Sequence, residues 1–218
     1  MLAQAILSLM LAVGPQPGVS PYSVVETTET ARPCADIHKP ACRRPWYSAW
    51  HRSLVRQETH REGLRRYWVI AQAIASQCGE STSLCKLLLT VTLHESSWRA
   101  DIHSGKGKLA LGDGGRSYSL VQARLGRGSK AGARLVGVHL AATKRAVGWG
   151  ATHLRRCSRG SDPASTFRCF GGVSNGERDK AIAARVKAYR LFGQEPEPLS
   201  DEVRELLGLP SEEKGSAK

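Results

Sequence analysis

The feature that most constrains this chain is apolar residues at helical spacing, recurring from 45 to 193 with almost no strand-like alternation. Over 61–78, Leu64, Trp68, Ile70, Ala71 and Ile74 form one stripe. Over 84–97, with Ser81 or Ser83 placed to cap it, Leu84, Leu87, Leu88 and Val91 form another. The pattern also predicts helices over 46–56, 130–146 and 177–192. In the last, Ile182, Val186 and Tyr189 share a face and Gly193 sits where a left-handed cap belongs. A short helix is predicted over 201–207, capped by Ser200, with Asp201 and Glu202 in its first turn and Gly208 ending it. The glycine-rich stretch 105–115 reads as a loop or small hairpin. The fold class is mostly α.

Around these helices the chain divides into three parts. Residues 1–45 hold an apolar leader and a linker with six of the ten prolines. The first fourteen residues suit the core of a signal peptide, although the charged segment that usually precedes it is missing; the alternative is a short buried or peripheral helix. Residues 46–194 form the domain, and 195–218 form an acidic tail. The tail has seven acidic and three basic residues, so residues 1–194 carry a net +17 within a chain of +13 overall. A body so basic suits a polyanionic partner such as nucleic acid, an anionic membrane or a bacterial wall. Six cysteines form three locally spaced pairs, Cys34 and Cys42, Cys78 and Cys85, Cys157 and Cys169. Fifteen pairings are possible, no Cys-x-x-Cys occurs, and three disulfides in an oxidising compartment are favoured over a metal site.

Glu95 lies four residues after Val91 and seven after Leu88, so it continues the apolar face of its helix. A carboxyl placed there is partly desolvated. Desolvation raises its pKa, as a general acid working near neutral pH requires. The competing interpretation is a rim Glu paired with one of the many arginines. His94 precedes it, but a zinc-protease motif needs a second His where Trp98 stands, so no metal site is expected.

The context of Glu95 carries a resemblance. His94-Glu95-Ser96-Ser97-Trp98 is followed by Gly112-Asp113-Gly114-Gly115-Arg116-Ser117-Tyr118-Ser119-Leu120-Val121-Gln122. Arg168-Cys169-Phe170-Gly171-Gly172 comes next, and then Arg185-Val186-x-x-Tyr189. In content and order these segments resemble the lytic transglycosylase and goose-type lysozyme superfamily over 84–192. The resemblance implies a lysozyme-like helical domain in which Glu95 protonates a glycosidic oxygen of peptidoglycan and then acts as base. It also implies that Gln122 lines the glycan groove with Ser117 and Tyr118 ahead of it, and that Ser96, which follows the acid, and Phe170, Gly171 and Tyr189 contact substrate. Phe170 and Gly171 stand where the family has Tyr and Asn, and Ser119 where it has Gly. Asp113 matches a loop aspartate that holds water in goose-type enzymes, whereas lytic transglycosylases need no second carboxylate. As a plain turn residue Asp113 would also be at home.

The expectation is therefore an extracytoplasmic, monomeric, cofactor-free enzyme that cleaves glycan strands to 1,6-anhydro products; a bacterial or a phage origin fits equally. A hydrolytic muramidase is the nearest alternative, and a catalytically silent wall-binding module the next. A specific nucleic-acid binder ranks last, because no recognised motif for one is present. Trp68 reads as core, while Trp46 and Trp50 stay open between core and sugar-stacking roles.

Overall fold

The computed structural model describes residues 1–17, 58–106, 111–158, 162–171 and 177–210. Most of the Pro-rich linker, Cys34, Cys42, the candidate helix over 46–56 with Trp46 and Trp50, and Gly172 lie outside the described residues.

The architecture is mostly helical. Helix α1 spans Leu2–Val13 and α2 spans His60–Cys78. Thr59 and Glu62 cap α2 reciprocally: Thr59 Oγ1 accepts from the Glu62 N–H at 3.2 Å, and Glu62 Oε2 accepts from the Thr59 N–H at 2.9 Å. Helix α3 spans Thr82–Ser96, and its cap is Ser81, whose hydroxyl accepts from the Leu84 N–H at 3.3 Å. A short α4, Ala100–Ser104, follows. Strands β1 (Ser117–Tyr118) and β2 (Ala123–Arg124) then form a small antiparallel hairpin, Ser117 opposite Arg124 and Tyr118 opposite Ala123.

The helix expected over 130–146 is two helices, α5 (Lys130–Ala133) and α6 (Leu140–Cys157). Gly137, at φ +133°, lies in the break and has a backbone that side-chain-bearing residues rarely adopt. Beyond 146, α6 continues through Gly148 and Gly150, and close packing uses the second. A Cβ on Gly150 would stand 2.9 Å from Val121 Cγ1. Residues 168–171 form the end of α7, Pro163–Gly171. Its start is fixed by Asp162, whose carboxylate accepts from the N–H groups of Ala164 (3.1 Å) and Ser165 (2.9 Å). Helices α8 (Glu177–Leu191) and α9 (Asp201–Leu207) complete the set.

The core lies where α2, α3 and α6 meet, with Ile70, Ile74, Leu88, Val91, Val147 and Leu154 fully buried. Helix α1 joins it through Ile6, Leu7 and Met10. The Tyr67 hydroxyl donates to the Pro15 carbonyl at 2.7 Å, and Ser8 donates to the Glu197 carbonyl. Residues 2–13 thus form a helix whose apolar face is buried. The acidic segment is also less separate than its composition suggests, since Leu199 is buried in the core and α9 packs on α2. Disulfides join Cys78 to Cys85 and Cys157 to Cys169, as their spacing predicted. Among the described residues no helix is long and apolar enough to cross a membrane. Both facts are compatible with an extracytoplasmic location.

Candidate active site

Helix α3 is apolar along the face it buries, and Glu95 stands one residue before its C-terminal end. Its side chain is 20 % exposed and accepts a hydrogen bond from Arg185 Nη2 on α8 at 2.5 Å. The rim-pairing interpretation is therefore met in part. Burial nevertheless raises the Glu95 pKa, with the Arg185 charge opposing and the Asp113 charge adding to the rise. A carboxyl whose enclosure outweighs a contacting guanidinium is poised to hold a proton above the ordinary range.

The chain after Glu95 is tightly determined. Ser97 and Trp98 both have left-handed backbone, φ 47° and 48°. Trp98 is fully buried; its Nε1–H donates to Thr92 Oγ1 at 2.9 Å, its carbonyl accepts from Arg66 Nη1, and its ring meets Tyr67 edge-on at 5.6 Å. Arg66 is itself held by Glu58, at 2.8 Å. Ser96, expected to contact substrate, is buried instead. Its hydroxyl donates to the Thr92 carbonyl at 2.6 Å and accepts from the Trp98 N–H at 3.2 Å. It secures the turn that follows Glu95.

The Asp113 charge felt at Glu95 comes from the turn Gly112–Gly115, where Asp113 has φ 51° and is solvent-exposed. Ser117 Oγ–H donates to Asp113 Oδ2 at 2.8 Å and fixes the carboxylate. Gln122 folds back over the turn. Its Nε2–H donates to the Ser119 carbonyl at 2.9 Å, and its Oε1 approaches Gly112 so closely that a Cβ there would be 2.1 Å away. Ser119 and Gln122 are also left-handed, φ 62° and 46°. Backbone of this kind at position 119 is free for glycine and strained for serine. The described non-glycine residues with left-handed backbone are Ser97, Trp98, Asp113, Ser119 and Gln122, all in the two segments that flank Glu95. Such residues cost about 1–3 kcal/mol each and persist where surroundings force them, as at functional sites.

Glu95, Asp113, Ser117 and Gln122 thus belong to one neighbourhood. The other residues expected at the substrate have partners of their own. Tyr118 is buried; its hydroxyl donates to the Gly126 carbonyl at 2.9 Å and accepts from the Ser129 N–H at 3.0 Å, so it fastens the hairpin to the next turn. Tyr189 bonds Ser83 Oγ at 3.3 Å and lines a cavity of about 260 Å³ with Arg155 and Thr166. Ser83 is twelve residues from Glu95 along α3, roughly 18 Å at 1.5 Å per residue. Phe170 is half-buried and meets His153 edge-on at 5.2 Å; His153 in turn stacks on Trp149 at 5.3 Å. Gly171 ends α7 and is half-buried.

Sequence reasoning missed Arg185 as a site residue, although it stands one turn before Tyr189 in a segment already singled out. Its charge is also felt at His94. Partial enclosure and the Arg185 charge lower the His94 pKa, which keeps that side chain neutral. Among the described residues no group of His, Cys, Asp and Glu is arranged to hold a metal.

Comparison with protein-family models, curated proteins and solved structures finds no match to this chain.

Proposed function

We propose that this protein cleaves peptidoglycan glycan strands between N-acetylmuramic acid and N-acetylglucosamine as a lytic transglycosylase, with Glu95 as acid and then base. The observation that carries the reading is the state of Glu95, a mostly enclosed carboxyl with a raised pKa that feels the charge of Asp113 in a strained glycine-aspartate turn. In this reaction Glu95 gives its proton to the glycosidic oxygen as the bond to the anomeric carbon breaks. The muramic C6 hydroxyl then attacks that carbon, and the Glu95 carboxylate accepts its proton. The enzyme is restored, and a 1,6-anhydro end is formed without water. The enzyme would work outside the cytoplasm as a monomer and without a cofactor.

One observation favours hydrolysis as a second reading. Asp113 is exposed, fixed by Ser117, and near enough for its charge to be felt at Glu95. That placement suits a carboxylate that orients water toward the anomeric carbon.

The test is mass spectrometry of muropeptides released from peptidoglycan by wild type and by Glu95→Gln. A product one water lighter than the reducing-end form identifies transglycosylation, whereas reducing ends identify hydrolysis. Glu95→Gln should fold normally and lose at least ~100-fold of the activity, the scale of a lost general acid. Full activity in that variant rejects Glu95 as the catalytic acid. No product from folded wild-type protein would favour the silent wall-binding module.

A further inference from the structure

The excess positive charge is concentrated in one stretch. Between Asp101 and Asp162 there are twelve Lys and Arg residues and a single acid, Asp113, so that stretch carries +11 of the chain's +13. Arg116, Arg124, Arg127, Lys130, Arg134 and Arg145 are all solvent-exposed. Among the described residues none of the six is in an ion pair.

Local contacts join these six into one surface. The Arg116 carbonyl accepts from the Leu125 N–H at 2.9 Å, which puts Arg116 beside Arg124 across the hairpin. Arg127 Nε–H donates to the Gly114 carbonyl at 3.1 Å, laying its guanidinium over the turn next to Asp113. The Tyr118 ring packs directly under Gly132, so α5 and Lys130 rest on the hairpin. Arg145 Nε–H donates to the Arg134 carbonyl at 2.9 Å and extends the row. The ridge therefore starts at the candidate active site and leads away from it.

Like charges set side by side without counter-charges repel, and the resulting field attracts polyanions. Arg127 and Arg145 are anchored to backbone carbonyls, so less side-chain freedom is lost when a ligand binds. The surface also limits what the polyanion can be. Among the described residues of 116–145 the one Phe, Tyr or Trp is Tyr118, only 3 % exposed, so the ridge itself offers no tyrosine or tryptophan face for stacking bases. Among the described residues of this region Val138 is the one exposed large apolar side chain, too little to insert into a bilayer.

We propose that this ridge binds a linear phosphodiester polymer without bases, a polyol-phosphate chain of the kind borne by bacterial walls, and so holds the enzyme beside the glycan it cuts. The identity of the polymer rests on the peptidoglycan reading, but its binding does not require Glu95.

The test is titration of the full-length protein with poly(glycerol phosphate) over a salt series. Wild type should bind, with log K falling linearly as log salt rises. Each lost phosphate contact removes ~0.7 from the slope of a flexible polyanion, so R116Q/R124Q/K130Q should flatten it by about two and weaken binding at least ~10-fold. The charge-keeping triple variant R116K/R124K/K130R should bind like wild type, and circular dichroism establishes that both triples are folded. Glu95→Gln should bind the polymer as wild type does, which separates failure of the ridge from failure of the catalytic reading. Absence of binding by wild type, or undiminished binding by R116Q/R124Q/K130Q, overturns the proposal. Tighter binding to oligothymidylate or to phosphatidylglycerol vesicles also overturns it, in favour of a nucleic acid or a membrane surface.

Discussion

Replacing Arg185 by Gln removes the cation that contacts Glu95 and leaves a neutral side chain of similar reach. The two groups meet at 2.5 Å with side-chain exposures of 16 % and 20 %, so solvent screens them only partly. With an effective dielectric of about 20, unit charges roughly 4 Å apart attract by about 4 kcal/mol. Residual exposure and relaxation reduce that to a coupling of about 1.5–3 kcal/mol. The sign follows from the chemistry. Arg185 favours the ionised carboxylate, and a general acid must be protonated, so loss of the cation keeps Glu95 protonated to higher pH. Since 1.4 kcal/mol corresponds to one pH unit, the alkaline limb of kcat/KM on peptidoglycan should move up by at least about one unit. Arg185→Lys keeps the charge and should leave the limb within a few tenths of its place. The assay is the initial rate of muropeptide release across a pH series, with near-ultraviolet circular dichroism as a control for folding. An alkaline limb that stays put or moves down in Arg185→Gln would refute the reasoning.

Other perturbations probe the scaffold. His103 is buried, its Nε2 is 2.7 Å from Thr143 Oγ1, and its pKa is pushed down to about 3 by burial, with Arg66 and His139 contributing. A depressed basic group leaves the fold most stable above 6.5 and weakens it as pH falls toward 3. The melting free energy should drop by about 2 kcal/mol from His103 alone by pH 5, and His103→Gln should remove that part of the slope in thermal melts. A Cβ on Gly14 would lie 2.0 Å from Trp98 Cζ3, so Gly14→Ala should cost roughly 1–3 kcal/mol and lower Tm by several degrees. An unchanged Tm would show that α1 is not docked as described. In Gly112→Ala the new methyl would evict the Gln122 carboxamide, so activity should fall at least ~10-fold while Tm moves by only a few degrees. Equal activity in that variant would remove Gln122 from the site.

Much of the helical frame was legible because the buried stripes are long. Leu64 to Ile74 and Leu84 to Val91 each repeat through several turns, and caps such as Ser81, Ser200 and Gly208 punctuate them. Where tertiary packing decided, the pattern was silent. Gly148 and Gly150 look like places for a helix to stop, yet α6 runs through both because Val121 and Leu88 fill the room beside Gly150. The Thr59–Glu62 capping box lay just ahead of the stripe that announced α2. At the site, the periodic position of Glu95 was readable. Its partner Arg185 lies 90 residues further along the chain, and only the packing of α8 on α3 brings the two together. Ser96 and Tyr118 show the converse, polar side chains in a motif that turn inward to hold the backbone.

The bond from Ser8 to the Glu197 carbonyl joins segments 189 residues apart. Burial of α1 against α2 and of Leu199 in the same core belongs to that closure. Contacts at such separation carry a high loop-closure entropy and slow folding. During ribosomal synthesis or passage through a translocation channel, the core would stay unfinished until both segments were present. The nascent chain would then remain open, and dependent on whatever shields its apolar helices, from the emergence of α1 until Leu199 has followed.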